Sequence, residues 1–494
     1  MKRREFLGSA LAGLGSLLPA CGGGGGGGGG MGGPMAPPPA TSGAALAQGQ
    51  ALRTLSPLAN ASAAAGQFSA TLEAAPASVQ LLDGRSTSLW LYNGLFPGPL
   101  VDVREGDRVR IALENRLAID STVHWHGLPV PADQDGNPMD PVAPGATRVY
   151  EFDIPAGTAG TYWYHPHAHG TTAEQVSRGL AAPFIVRAAN DPLAGIPEVT
   201  MLVTGLRLGS DAQVAADDAF DFMFGRLGEQ LLVNGGRLPV HTVRPGATQR
   251  WRILNATSGR FLRLALDGHT LTLVGTDGGL LAAPVAGLSD ILVAPAQRVE
   301  VLVTASTSPS SRFTLRAQRH VSDNMGLGTY ASEDLLTLAT SAQAPAQASA
   351  VPATLRPLPA AATPTATKRV VLTQSGGMGM MGGAFLINGR TFDMARVDFA
   401  STAGETEAWQ IVNDTFMDHP MHIHGTQFRL ASREFAGRVS PAPYGAWLDT
   451  VTVPAGETAT IHVRQDMPGK RMIHCHILQH EDAGMMAVID VRAR

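Results

Sequence analysis

Cysteine is almost missing from this chain: there are two in 494 residues, Cys21 and Cys475. A scaffold stapled by several disulfides is excluded, and even one bridge is excluded if Cys21 is used elsewhere. Long apolar runs are scarce as well. Beyond the opening segment no stretch is long enough to cross a membrane. The formal charge of -4, with scattered arginines, leaves no basic stripe of the kind nucleic acid requires. Helical periodicity is rare too, which argues against a helical fold.

What the chain does have is alternation. VDVREGDRVRIALEN and SDILVAPAQRVEVLVT alternate apolar and polar residues, and Gly and Pro punctuate such segments throughout, so the fold class is all-β. One pattern recurs. VREGDRVRIALEN ends at Asn115, VRPGATQRWRILN at Asn255 and STAGETEAWQIVN at Asn413, and in each a glycine (Gly106, Gly246, Gly404) precedes the asparagine by nine residues. A turn, a strand and a strand end used three times imply three homologous β-sandwiches. Composition places them at residues 67–190, 191–342 and 368–494, with a Pro/Ala linker at 343–367.

The opening MKRREFLGSALAGLGSLLPAC has twin arginines, a short apolar stretch and a terminal cysteine. Residues 1–21 resemble a twin-arginine export signal with a lipobox, so that Cys21 would carry a lipid and the body would be exported to the periplasm or cell envelope. The glycine run and Pro/Ala segment at 22–66 read as a flexible tether.

Counting forward from the repeat asparagine locates the chemistry. Nine and eleven residues on, the first unit has His124 and His126 and the third has His422 and His424, whereas the middle unit has Leu264 and Leu266. The scaffold accepts plain core residues there, so the fold does not demand histidine. Side chains two apart on a strand share a face. His124 and His126, His165 and His167, His422 and His424, and His474 and His476 are four such pairs. Cys475 faces away from its flanking histidines, and His419, three before His422, leaves on that same opposite side. Cys475, His419 and His480, with Met485 as a weak axial ligand, form the soft set that favours an electron-transfer copper. Zinc also takes Cys and His, but a closed zinc site has no use for Met485. The other face collects eight imidazoles, too many for one metal and suited to three coppers. Three plus one store four electrons, the number dioxygen needs to become water.

HWHG, HPHAHG, HPMHIHG and HCHILQHEDAGMM, in this order, make the chain similar to three-domain multicopper oxidases, the laccases and bacterial cuprous oxidases among them. The resemblance implies three consecutive cupredoxin-like Greek-key β-sandwich domains and four coppers per chain: one type 1, one type 2 and two type 3. It implies His419, Cys475, His480 and Met485 at type 1, and His124 and His422 at type 2. The type 3 pair would take His126, His165 and His476 on one ion and His167, His424 and His474 on the other. Asp135 and Glu481 match acidic positions that handle protons, against plainer readings as a turn aspartate and a solvated glutamate. His169 is expected to support the site; His241, His269, His320 and His462 have surface or core roles. The implied partners are O2 and a small reductant, either Cu(I) or a phenol, with Mn(II) or Fe(II) also open, and the chain is expected to work as a monomer. GGMGMMGG, with Met378, Met380 and Met381, offers thioethers that suit Cu(I). A nitrite reductase is disfavoured by the third unit, and a ligand-free envelope-assembly relative by the complete ligand set.

Overall fold

Asn115, Asn255 and Asn413 each close a strand (Arg108–Asn115, Thr248–Asn255 and Thr406–Asn413) in the computed structural model, which describes residues 46–82, 84–375 and 383–494. Each of these strands runs parallel to the one that opens its unit: Gln67–Leu82, Glu198–Leu206 and Ala366–Ser375. The three amides then do the same work. Asn115 Nδ2 donates to the carbonyls of Ile119 and Val142, Asn255 Nδ2 to those of Arg260 and Val293, and Asn413 Nδ2 to those of Met417 and Val453. Each Oδ1 accepts from the backbone N–H two residues on. Three bonds offset the cost of burying the amide and fasten the crossing toward the opposite sheet. The lead-in glycines adopt φ of +86°, +71° and +81°, a left-handed turn that other residues enter at a cost.

The first unit packs two four-stranded sheets, the second a seven- and a five-stranded sheet, the third a six- and a five-stranded sheet. Each pair of sheets closes over its own apolar core. In the first unit the His124–His126 strand lies at a sheet edge, antiparallel to Gly160–His165, with His124 opposite His165. In the third, His419–Ile423 runs beside Gly469–Cys475, with His422 opposite His474. The equivalent middle strand, Leu262–Leu266, puts Leu264 and Leu266 into the apolar core.

Among the described residues, three short α-helices meet between the units: α1 (Thr172–Ser177) and α2 (Ala219–Phe224) both pack on α3 (Leu478–Asp482). Among the described residues no helix is long and apolar enough to cross a membrane.

The segment expected to be a free tether is seated from Leu46 onward. Leu46, Leu55 and Leu58 are buried, the Leu52 N–H bonds the Val240 carbonyl, and the Leu58 N–H bonds that of Leu100. Composition marked the glycines and alanines but not the three leucines that find pockets. The Pro/Ala linker is held in the same way: Leu355 is buried, and the N–H groups of Leu355 and Arg356 reach the carbonyls of Ala282 and Leu281. Cys21, Met378, Met380 and Met381 lie outside the described residues.

Candidate metal centre

Two sets of ligating atoms lie on opposite sides of residues 474–476. On one side the eight histidines of the outer units converge, all fully buried. They interleave: His124 stacks on His424 with ring centroids 3.8 Å apart, and His126 on His422 at 3.7 Å. His424 Nε2 lies 3.2 Å from His167 Nε2 and 3.1 Å from His474 Nε2, and those last two are 3.2 Å apart. His124 Nε2 lies 3.4 Å from His422 Nε2.

The far side of each ring decides what these approaches mean. His124 Nδ1 faces the Asp135 carbonyl at 2.8 Å, His165 Nδ1 the Pro166 carbonyl at 2.8 Å, His422 Nδ1 the Asp449 carbonyl at 2.8 Å and His474 Nδ1 the Cys475 carbonyl at 3.0 Å. His424 Nδ1 faces Asp135 Oδ2 at 2.8 Å. A carbonyl only accepts, so the proton belongs on Nδ1 and the lone pair on Nε2. Lone pairs then point at one another. His126 Nδ1, His165 Nε2 and both nitrogens of His476 have no hydrogen-bond partner among the described residues. Buried acceptors in this arrangement are what a set of soft cations between the rings would satisfy, so the residues fit copper.

Burial favours the neutral form that a ligand needs in seven of these rings, His422 among them. It lowers His165 to about 3 and His167 to about 4, and drives His124, His126, His424 and His476 well below the ordinary value.

On the other side, His419 Nδ1 lies 3.4 Å and His480 Nδ1 3.7 Å from Cys475 Sγ. The remaining nitrogens are tied off, His419 Nε2 to Thr415 Oγ1 at 2.9 Å and His480 Nε2 to the Met223 carbonyl of α2 at 3.1 Å. Met485 is buried in the same core and its carbonyl accepts the Cys475 N–H. Burial pushes the thiol pKa up, so a thiolate here needs a cation beside it.

Asp135, at the end of the short turn Ala132–Gln134, and Glu481 are both buried among the histidines, so neither is a solvent group. Burial raises the Asp135 carboxyl to about 7 against the pull of Arg471 and His474. Burial would raise Glu481 too, but His167 and His474 hold it well below the usual range; its Oε2 lies 3.1 Å from His474 Nδ1. His169 departs from expectation: it is exposed and rests edge-on against Phe392. His241 bonds Gln249, His269 bonds the Asp267 carbonyl, and His320 is buried against Phe261 and Tyr330.

Asp449 and Arg298 were not foreseen. Asp449 Oδ1 lies 3.1 Å from His126 Nε2, and Arg298 of the middle unit grips both of its carboxylate oxygens. Burial favours the neutral acid, but Arg298 overrides it and keeps Asp449 ionised, while burial lifts neighbouring Asp277 to about 7. The only sequence signal was two charges, Arg298 and Glu300, inside an otherwise apolar strand.

Comparison with known proteins agrees with this geometry. Residues 73–191, 159–334 and 362–494 match multicopper oxidase family domains. A multicopper oxidase of Staphylococcus aureus is 29% identical over 438 residues, spanning 86% of this chain and 89% of its own. The cell division protein FtsP of Xenorhabdus nematophila is 31% identical over 417 residues, spanning 80% and 84%. A solved multicopper oxidase from Campylobacter jejuni, described as a metallo-oxidase, superposes with a TM-score of 0.86 at 37% identity, over 93% of this chain and 99% of that one. The chain therefore belongs to the multicopper oxidase family, a copper-dependent oxidoreductase of three cupredoxin-like sandwiches that takes type 1, type 2 and type 3 copper.

Proposed function

We propose that the chain oxidises a small reductant one electron at a time at the Cys475 site and reduces O2 to water with four electrons at the histidine cluster. The observation that carries this reading is the shared strand end: His474 and His476 enter the cluster while Cys475, between them, meets His419 and His480. His419, Cys475, His480 and Met485 would hold type 1 copper, and His124 and His422 type 2. His126, His165 and His476 would hold one type 3 ion, and His167, His424 and His474 the other. Copper, when bound, supplies one-electron acceptance at the first site and four-electron reduction of dioxygen at the second.

The chain's own residues supply the route and the protons. Covalent bonds from Cys475 to its two neighbours give electrons an unbroken through-bond path from the sulfur to the rings on the other side. Four protons are consumed for each O2 that becomes two waters, and the Asp135 carboxyl, near neutrality and with Oδ2 taken by His424 Nδ1, can hold and release them at Oδ1 beside the cluster. Glu481, bridging His167 and His474, orients those rings.

The cover on His480 bears on the reductant. Its ring is buried, stacked on Phe385 at 3.7 Å and bonded to the Met223 carbonyl. A planar phenol cannot rest against the ring while α2 is in place, so a metal ion that delivers its electron from outside the cover, Cu(I) first, fits better. The metallo-oxidase described from Campylobacter jejuni supports the same choice. A role in cell-envelope assembly, suggested by the FtsP relative, does not call for a filled ligand set. Export to the periplasm or cell envelope, lipid attachment at Cys21 and action as a monomer complete the proposal.

An oxygen electrode with Cu(I), Mn(II), Fe(II) and a substituted phenol as donors tests it, alongside copper analysis of the purified blue protein. Fastest uptake with Cu(I) is expected. No uptake with any donor, from protein carrying four coppers, would reject the oxidase reading.

A further inference from the structure

Arg298 belongs to the unit that contributes no histidine to the cluster, yet it is fully buried beside it. Each of its five N–H groups is taken, and the acceptors come from all three units. Nε donates to the Thr161 carbonyl of the first unit at 2.8 Å. Nη1 donates to the Ala296 carbonyl of its own unit and to Asp449 Oδ1 of the third, at 3.1 and 2.8 Å. Nη2 donates to the Asp277 carbonyl at 3.0 Å and to Asp449 Oδ2. A planar fork meets a carboxylate here with no donor left over.

Asp449 then determines how two rings from different units stand. Its Oδ1 faces His126 Nε2, leaving His126 Nδ1 as the nitrogen turned toward the cluster. Its carbonyl faces His422 Nδ1, leaving Nε2 toward His124. Thr450 Oγ1 donates to the same Oδ1 at 2.9 Å. Asp277 supports the arrangement from behind: Oδ1 accepts the Arg298 N–H at 2.8 Å, and Oδ2 accepts from the N–H groups of Asp449 and Thr450 at 3.3 Å. Gly127, next to His126, has φ of +85°, and a side chain there would collide with the Asp449 carboxylate.

We propose that Arg298 is the positioning residue of the trinuclear site: through Asp449 it sets which nitrogens His126 and His422 present, and so makes the ligand-free unit a working part of the cluster. This inference rests on the reading that the eight histidines hold copper.

The test is Arg298→Met, which keeps much of the volume and loses the fork, with Arg298→Lys as the partner that keeps only the charge. Cys475, His419, His480 and Met485 all belong to the third unit, so a retained blue band shows that the fold survives. Copper retention at the cluster against a chelator is expected to weaken by roughly ten-fold or more. The type 2 electron paramagnetic resonance should change, and Lys should restore neither fully, because the three donors of an ammonium cannot replace the five contacts of the planar fork. Wild-type retention and an unaltered type 2 resonance in Arg298→Met would overturn the inference. If that variant fails to fold, Asp277→Asn replaces an acceptor by an N–H2 facing the N–H groups of Asp449 and Thr450. An unaltered type 2 resonance in Asp277→Asn would overturn the inference equally. A wild-type protein with no type 2 resonance would instead reject the cluster assignment, and the inference with it.

Discussion

His424 and His474 meet Nε2 to Nε2 at 3.1 Å, with the Nδ1 of each ring committed to an oxygen on its far side. Two buried lone pairs held that close repel unless a cation lies between them. The copper-free protein is therefore expected to melt well below the loaded one. Scanning calorimetry during stepwise copper addition should show gains of roughly 4 kcal/mol per site once copper reaches a thousand times its Kd. Coincident melting curves with and without copper would contradict this.

Cys475, the one cysteine among the described residues, supplies the thiol beside His419 and His480. Cys475→Ser should abolish the blue absorbance and reduce oxygen uptake to background, while the type 2 resonance persists because the histidine face keeps all its ligands. Uptake at the wild-type rate in this variant would remove the electron path from the mechanism.

Asp135→Asn keeps an acceptor for His424 Nδ1 but cannot carry a proton. The expected result is a fall in kcat of about 10²–10³-fold with KM for the reductant and the blue band unchanged. Stopped-flow reduction of the type 1 site should remain at wild-type speed.

Acid should unfold the copper-free chain early. Nine fully buried histidines, His124, His126, His165, His167, His419, His422, His424, His476 and His480, are lowered from 6.5, chiefly by burial. Below 6.5 the unfolded chain binds protons on them and the folded chain does not. The stability they confer is fully present above that pH and is lost as pH falls toward about 3 to 4, where burial holds His165, His167 and His480 in the folded chain. Asp135, Asp221, Asp277 and Asp482 are raised and act in the opposite sense, four groups against nine. Each histidine contributes up to about 1.4 kcal/mol per pH unit, so the melting temperature should drop steeply below about pH 6. A flat profile would contradict the burial of these rings.

Helix α2 can be loosened without touching the cluster. The Asp218 carboxylate accepts the N–H groups of Phe220 and Asp221, and Asp218→Ala should weaken the helix by about 1 kcal/mol. With Met223 less firmly over His480, turnover of a phenol should rise relative to Cu(I) in paired oxygen-uptake assays. An unchanged ratio would show that α2 does not select the reductant.

Much of this was legible in the residues. Strand parity separated Cys475 from His474 and His476, and the repeat asparagine located His124, His126, His422 and His424, because both signals are local. Arg298 was hidden for a physical reason. RVEVLVT alternates as a strand with a solvent face would, but here the polar face is pressed against the first and third units, and its charges are paired across 151 residues of sequence in the case of Arg298 and Asp449. Glu481 was equally ambiguous, since a glutamate after His480 looks solvated until α3 is packed against α1. The end of the segment read as a tether is seated because Leu46, Leu55 and Leu58 are buried, a tertiary outcome that glycine and Pro/Ala composition does not report.

That seated segment also spans two of the sandwiches. Residues 48 and 51 pair with Arg237 and Val240 of the middle sandwich before residue 57 reaches Leu100 of the first. The segment thus straps the middle sandwich to the first, and deleting residues 46–58 should loosen that seam while leaving the histidine strands paired as they are.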